Sequence, residues 1–398
     1  MADLPWLTIV GLSEAGADDL SGRARQALET AELVLGAARH LSLLPRLTCE
    51  VREWPVPFAD GVPLLLAERG RRVVMLASGD PFWFGAGTSI TRHLAREEWI
   101  AHPAPSSFAL AAARLGWAVQ DVACLGLHAA SFTRLRPQLA PARRLLVLVR
   151  DGSAVAELAG YLGAQGFGAS TVHVLEALGG PRERVRTTQA AAFALDDIAH
   201  PVAVGIDVAG DGAVLPLTAG RPDSWFDSDG QLTKQPVRAL TLSALAPRPG
   251  ELLWDIGAGS GSIGIEWLLA HPANRAIAVE ADAVRAERAR GNAAGLGVER
   301  LIVLEGCAPD ILPEGTPDAV FIGGGLSQAL LEALWARLPA GTRVVANAVT
   351  LESEALLAQW HGAAGGSLLR IELADAVPLG TRHGWRARYP VVQWSVTR

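Results

Sequence analysis

The sequence predicts an α/β protein of two successive units, a two-lobed one over residues 1–212 and a second over 213–398 with a seven-strand, mostly parallel sheet. Three observations predict it. Apolar runs of strand length alternate with amphipathic helical stretches along the whole chain. The alternation lapses over residues 209–230, rich in Gly, Asp, Ser and Pro, and then restarts. The chain also closes on two strand-like segments, SLLRIELADAV (367–377) and YPVVQWSVT (389–397), with no helix between them. Such strands must pair antiparallel, which reverses one strand near the sheet edge.

The first unit opens with strand WLTIVGL (6–12), and a helical run continues to about residue 32. Strands TCEVREW (48–54), RRVVMLASG (71–79), EEWIAHPA (97–104) and DVACLGLH (121–128) follow. Helical stretches RHLSLLP, GTSITRHLA and SSFALAAARLGW lie between them, so a largely parallel sheet with both faces covered is expected. A second βα set starts at ARRLLVLVRDGSAVAELAGYL (142–162) and ends at PVAVGIDV (201–208). Within it, STVHVLEALGG and RERVRTTQ lie close enough for an antiparallel pair, hence the second lobe.

After the 209–230 linker come helix TKQPVRALTLSALA (233–246), strand ELLWDIG (251–257), helix SIGIEWLLA (262–270) and strand RAIAVEA (275–281). Helix AVRAERARGNAAGL leads to strands LIVLEG, DAVFIGG and RVVANAV, with helix SQALLEALWARL before the last of these. Helix ESEALLAQW precedes the closing pair.

Composition removes several classes of function. The N-terminus has neither a basic start nor a long apolar stretch, so no signal peptide or membrane span is expected. Cys49, Cys124 and Cys307 are odd in number and far apart, which argues against a disulfide framework or cysteine-rich zinc site and fits a reducing cytoplasm. The net charge of −6 and the lack of a basic, aromatic-rich cluster speak against nucleic acid. Lys234 is the sole lysine, leaving little room for Schiff-base chemistry.

The run ELLWDIGAGSGSIGIEW (251–267) carries Gly257, Ala258, Gly259 and Gly261 at a strand-to-helix turn. A dinucleotide loop wants Gly or Ala where Ser262 stands. Asp255 would repel a pyrophosphate but attract an ammonium group, and Glu280, with Ala281, ends the next strand, where it can accept hydrogen bonds from ribose hydroxyls. With the reversed terminal strand, this resembles the Rossmann-like methyltransferases that use S-adenosylmethionine (SAM). Lys234, beside Thr233, is a candidate carboxylate or SAM contact, the alternative being a solvated helix-start lysine. Gly323, Gly324, Gly325 and Asn347 end later strands and should line the same pocket. Arg238 reads as a carboxylate partner or a surface charge. Trp254 and Trp267 fit the core pattern, while Trp83 and Trp385 are the better surface candidates for a flat ligand.

In the first unit, LASGDPFWFG places Gly79, Asp80 and Pro81 at a strand's carboxyl end, where α/β sheets bind ligands. Pro105, Ser106 and Ser107 follow the next strand and start a helix whose free N–H groups can receive a carboxylate. The two together resemble the SAM pocket of the tetrapyrrole methylases, with Gly11 in its first loop. WLTIVGL, RHLSLLP, LASGDPFWFG, PSSFALAAARLGWAVQDV and VLEALGGPRERVR resemble the N-terminal half of the bifunctional precorrin-6Y methyltransferases of cobalamin biosynthesis, the CobL type. DGQLTKQPVRALTLSALAPRPGELLWDIGAGSGSIGIEW, DAVFIGGG and ANAVTLESEALL resemble the C-terminal half. The halves match separate CbiE-like and CbiT-like proteins.

The resemblance implies a tetrapyrrole-methylase fold followed by a Rossmann-like SAM methyltransferase domain, with one SAM per domain. It implies methylation of a precorrin at carbons 5 and 15 and decarboxylation of the ring C acetate, precorrin-6B to precorrin-8X, with no metal required. Carbon 5 falls to the N-terminal domain, the other two events to the C-terminal one. Lys234, Asn347 and His128 are the candidates for catalysis, and His383 is a second candidate histidine. Self-association is implied too. The sequence departs from the family at Ser13, where glycine is expected, and at Ala129 and Ala130, where glycine and arginine are expected. Cys307, next to Ala308, stands where an acid usually meets the adenine, and Asp310 is a possible substitute. Alternative readings are a SAM methyltransferase for RNA or protein, and a SAM sensor with one degenerate site.

Overall fold

The computed structural model describes residues 5–398. The chain divides into two compact units, Met1–Phe132 with Gln138–Ala213, and Thr133–Pro137 with Val214–Arg398.

The first unit holds two five-stranded sheets. Strands β1 (Leu7–Leu12), β2 (Leu33–Gly36), β3 (Glu50–Glu53), β4 (Val73–Ser78) and β5 (Trp99–His102) form the first, in the order β3-β2-β4-β1-β5 and parallel throughout. Alternate side chains bury opposite faces. Leu7, Ile9, Leu33, Leu35 and Met75 pack with Trp54 and Leu65, while Val10, Val34, Val74 and Leu76 pack with Ala24 and Leu28. The sequence reading passes over β2, whose four apolar residues follow a helix directly.

Strands β6 (Val122–Gly126), β7 (Arg144–Leu148), β8 (Thr171–Glu176), β9 (Arg184–Gln189) and β10 (Val202–Asp207) make the second sheet, ordered β6-β7-β10-β8-β9. Only β6 and β7 pair in parallel; β8 and β9 form the expected antiparallel pair, and β6, read from the sequence with the first group of strands, belongs to this sheet. Short connections between β8, β9 and β10 carry no crossover helix, which forces the antiparallel pairing.

The second unit contains β11 (Leu252–Ile256), β12 (Arg275–Glu280), β13 (Ile302–Glu305), β14 (Ala319–Ile322), β15 (Arg343–Ala348), β16 (Ser367–Ile371), β17 (Ala374–Leu379), β18 (Arg382–Ala387) and β19 (Val391–Thr397). Its seven-stranded sheet runs β13-β12-β11-β14-β15-β19-β16, with β19 antiparallel to both neighbours. The expected closing pair is therefore β16 with β19. The run SLLRIELADAV breaks after Ile371, and its second half pairs instead with β18 in a separate two-stranded ribbon. Leu252, Trp254 and Ile256 face one core layer and Leu253 the other, each layer covered by helices.

Two readings of this half change. Residues 214–230 are not a free linker, since Leu215 and Phe226 are buried in the core of the second unit. Arg238 is neither a surface charge nor a ligand contact. It is wholly buried and donates to Glu266 Oε1 (2.7 Å), to Asp223 Oδ1 (3.0 Å) and to the carbonyls of Arg221 and Thr233. Glu266 also accepts from the backbone N–H groups of Gly220 (2.7 Å) and Arg221 (3.0 Å), so this cluster ties the 220–234 segment to helices Gln235–Leu245 and Ser262–Ala270. Burial lowers the pKa of Arg221, the second guanidinium on Glu266.

Candidate active sites

In the second unit the carboxyl ends of β11 to β15 converge on a cavity of about 710 Å³. The turn after β11 is built for close approach. Gly257 has φ +69°, and a Cβ there would lie 2.6 Å from the backbone of Gly324, the turn after β14. Gly259, at φ +57°, differs: a Cβ there would meet nothing nearer than Gln231 O at 3.7 Å, so it opens on the cavity. Glu280, at the end of β12, accepts from Gly259 N–H through Oε2 (2.7 Å) and from Asp282 N–H through Oε1 (3.0 Å). A carboxylate at the wall thus fixes the turn.

The structure brings Thr233, Lys234, Gly257, Ala258 and Gly259 together around this cavity. Glu280, Ala281, Cys307, Ala308, Gly323, Gly324, Gly325 and Asn347 join them there. Asp255, Gly261 and Ser262 do not line it. Asp255 lies on the opposite side of β11 from Trp254 and Ile256, which points its carboxyl under the turn. It is wholly buried, its Oδ2 accepts Gly264 N–H (2.9 Å), and its Oδ1 has no hydrogen-bond partner. Burial, reinforced by Glu280, raises its pKa to about 7. The sequence reading of Asp255 as an ammonium partner gives way to an anchor for helix Ser262–Ala270. Gly261 is that helix's N-cap, with φ +75°.

Lys234 Nζ donates to Gly230 O (3.3 Å), and Lys234 is the N-cap residue of helix Gln235–Leu245. Asn347 is held on both sides: its Nδ2 donates to Thr241 Oγ1 (2.9 Å) and its Oδ1 accepts from Gln393 Nε2 (3.0 Å). Asp310 does not line the cavity beside Cys307. Trp254 and Trp267 are core residues; Trp385 and His383 sit on exposed β18, away from the cavity wall. Sequence reasoning missed Arg285, Arg388 and Tyr389, which also line the cavity. Arg285 pairs with Asp229 (2.8 Å) and Arg388 with both oxygens of Asp375 (2.6 Å each). No spacing rule links these positions.

The first unit has its own cavity, about 350 Å³, at the carboxyl ends of β1, β2 and β4. Gly79, Asp80, Pro105, Ser106, Ser107 and His128 line it, with Trp83 and Phe84. Ser106 caps helix Ser107–Leu115 by accepting Ala109 N–H (3.1 Å), and Asp80 Oδ1 accepts Phe82 N–H (2.9 Å). Gly11 and Pro81 lie outside the wall. A Cβ at Gly11 would sit 1.9 Å from Gly79 O, so this glycine serves the packing of β1 against the Gly79 turn. Ser13, where the resemblance leads one to expect glycine, is accommodated: its hydroxyl donates to Asp19 (2.6 Å) and accepts Ala15 N–H (3.2 Å). Ala129 and Ala130 are not on the cavity wall. Glu14, Arg39, His40 and Ser78 are, and the sequence reading did not single them out.

The model of the tetrapyrrole (corrin/porphyrin) methylases matches residues 7–194, and that of the precorrin methyltransferase domain matches 224–398. The precorrin-6Y C(5,15)-methyltransferase [decarboxylating] of a Sinorhizobium species is 50% identical over 402 residues, covering 99% of this chain and 97% of that protein. The protein of the same name from Mycobacterium tuberculosis (strain H37Rv) is 41% identical over 401 residues, covering 98% of this chain and 100% of its own. A solved C-terminal domain of precorrin-6Y C5,15-methyltransferase from Rhodobacter capsulatus is 55% identical, covers 46% of this chain and 100% of its own, and aligns with a TM-score of 0.44. Two domain matches in this order, and identity sustained from end to end, place the chain in the family of decarboxylating precorrin-6Y C(5,15)-methyltransferases.

Proposed function

We propose that the chain transfers two methyl groups from SAM to a precorrin, at carbons 5 and 15, and removes the ring C acetate carboxyl as carbon dioxide. The first unit serves carbon 5; the second serves carbon 15 and the decarboxylation. Each unit holds one SAM. The observation that carries this reading is that each unit has its own cavity at the carboxyl ends of parallel strands. The RNA, protein and sensor alternatives find no support in relatives matched over the full chain.

The residues fit the donor. Gly259 leaves open space where a side chain would block a ligand, and Glu280 stands at the next strand end as an acceptor for ribose hydroxyls. In the first unit Gly79, where a Cβ would lie 2.9 Å from Pro105 O, packs the turn after β4 against the helix start at Ser106 and Ser107, and all three line the cavity with that helix's N-terminus as an acceptor of negative charge. Bound in either cavity, SAM supplies an electrophilic methyl group on a sulfonium. The chain's part is to hold the acceptor carbon in line and exclude water. Val237, Ile256, Ile371 and Val391 give the second cavity apolar walls for the macrocycle. Lys234 and Arg285 provide positive charge for substrate carboxylates, and when carbon dioxide leaves the acetate the bonding electron pair passes into the protonated conjugated macrocycle. Asn347, with one N–H donor left over from its bonds to Thr241 and Gln393, is positioned to hold an acceptor oxygen. His128 holds or releases a proton at a ring nitrogen in the first cavity.

No helix among the described residues is long and apolar enough to cross a membrane. We place the protein in the cytoplasm, self-associated and without a nucleic-acid partner. The three unpaired cysteines fit a reducing compartment.

Calorimetric titration of the full chain with S-adenosylhomocysteine tests the two-site reading. Two molecules bound per chain are expected, and Gly259→Arg lowers the number to one. A single molecule bound to the unmodified chain would contradict it.

A further inference from the structure

We propose that Arg39, backed by Ser78 and His40, forms a carboxylate-binding subsite in the cavity of the first unit. The inference rests on the functional reading above and deepens it, because both ligands assigned to this cavity carry carboxylates and neither carries phosphate.

Among the described residues lining this cavity, Arg39 is the only arginine or lysine. Its guanidinium is fixed from two sides. Nη1 donates to Glu14 Oε1, and Nη2 donates to Ser78 Oγ (2.8 Å). Glu14 is buried, and its other oxygen accepts from Arg182 Nη2 (3.1 Å), so two guanidiniums share one carboxylate and the cluster keeps a net positive charge. Asp80, the other carboxylate on the wall, is turned back on Phe82 N–H. The Arg39 side chain retains 27% exposure, and its Nε–H makes no hydrogen bond among the described residues. A fixed fork with unused donors suits a carboxylate.

His40 lies directly beside this guanidinium. It is buried on the cavity wall, and burial together with Arg39 lowers its pKa to about 4, so the ring is neutral near pH 7. His40 Nε2 lies 2.9 Å from both Arg39 Nη2 and Ser78 Oγ, so the neutral ring packs against the guanidinium and adds no charge of its own to the subsite. Ala130, where the resemblance leads one to expect arginine, is off this wall, and Arg39 supplies a cation from another element.

The carboxylate belongs either to a tetrapyrrole side chain or to the amino-acid end of SAM, and kinetics separate the two. Formation of the carbon 5 product by the full chain is followed by mass spectrometry while each substrate is varied in turn. Arg39→Leu is expected to raise one KM by about 10- to 100-fold, the range of a lost charge-assisted hydrogen bond. Arg39→Lys should recover part of that loss. A rise confined to the tetrapyrrole KM assigns a substrate carboxylate, and one confined to the SAM KM assigns the donor's. If Arg39→Leu leaves Glu14 short of a partner and unfolds the unit, the double variant Glu14→Gln/Arg39→Gln removes both charges and carries the same expectation. Variants that fold and keep both KM values within about twofold overturn the inference, since that is under about 0.5 kcal/mol. An unmodified chain that forms no carbon 5 product overturns the functional reading, and this inference with it.

Discussion

Gly259→Arg is expected to abolish methyl transfer at carbon 15 and the release of carbon dioxide while sparing transfer at carbon 5. The reason lies in how Gly259 differs from its neighbours. Gly257 is pressed against Gly324 and Gly261 against Ala289, so those two glycines serve packing within the fold. Gly259 has no such neighbour, and a side chain there occupies the space left for a ligand. Its φ of +57° adds about 1–2 kcal/mol of backbone strain for any residue with a Cβ. The strain acts on the N–H that Glu280 Oε2 accepts, so the turn and the acceptor at the next strand end move together. Displacing bound groups by about 1 Å costs on the order of a hundredfold in rate, and an arginine fills the space outright. Quantifying the carbon 15 product, carbon dioxide and carbon 5 product of the variant checks this. Loss of the carbon 5 product as well, or retention of all three events, would show that the second unit's site is wrongly assigned.

Glu266→Gln is expected to destabilise the second unit by about 3–5 kcal/mol, the usual cost of removing one partner from a buried ion cluster. Glu266 is buried and accepts from Arg238 Nε, Arg221 Nη1 and the N–H groups of Arg221 and Gly220. Glutamine keeps the shape but loses the charge, leaving buried Arg221 and Arg238 without their shared counterion; an amide N–H₂ also faces donors. Glu305→Gln is the control. Its pair with Arg290 lies at the surface, where loss of a partner costs about 1 kcal/mol or less. Denaturant unfolding of both variants measures the contrast, and a loss under about 1 kcal/mol for Glu266→Gln would contradict it. Activity should follow stability, because Arg238 also holds the Thr233 carbonyl and Thr233 and Lys234 line the cavity.

The sequence makes the layered α/β plan legible because each buried strand is a short apolar run bounded by glycine turns, as in VVMLAS before Gly79 and LLWDI before Gly257. What it hides are features set by direction and distance. Asp255 sits in a strand buried on both faces, so its neighbours show no polar alternation to tell which way its carboxyl points. Arg238 meets partners 15, 17 and 28 residues away, and a lone arginine on a helical run looks like any solvated one. Arg39 meets Glu14 and Ser78 only because β1, β2 and β4 are neighbours in one sheet. Short β2 merges with the helix before it, and the β17–β18 ribbon hides in what reads as one long strand. The glycines of the turn after β11, by contrast, are conspicuous, but spacing does not separate Gly257 and Gly261, which pack, from Gly259, which opens on the cavity. The Cβ distances separate them.

The central claim is two methyl transfers and one decarboxylation by one chain. Incubating the purified protein with precorrin-6B and SAM bearing a ¹³C-labelled methyl group, followed by mass spectrometry of the tetrapyrrole and of evolved carbon dioxide, tests it most directly. The account predicts two labelled methyl groups gained and one carbon dioxide lost per substrate. Unchanged precorrin under conditions where the chain is folded and binds S-adenosylhomocysteine would contradict it.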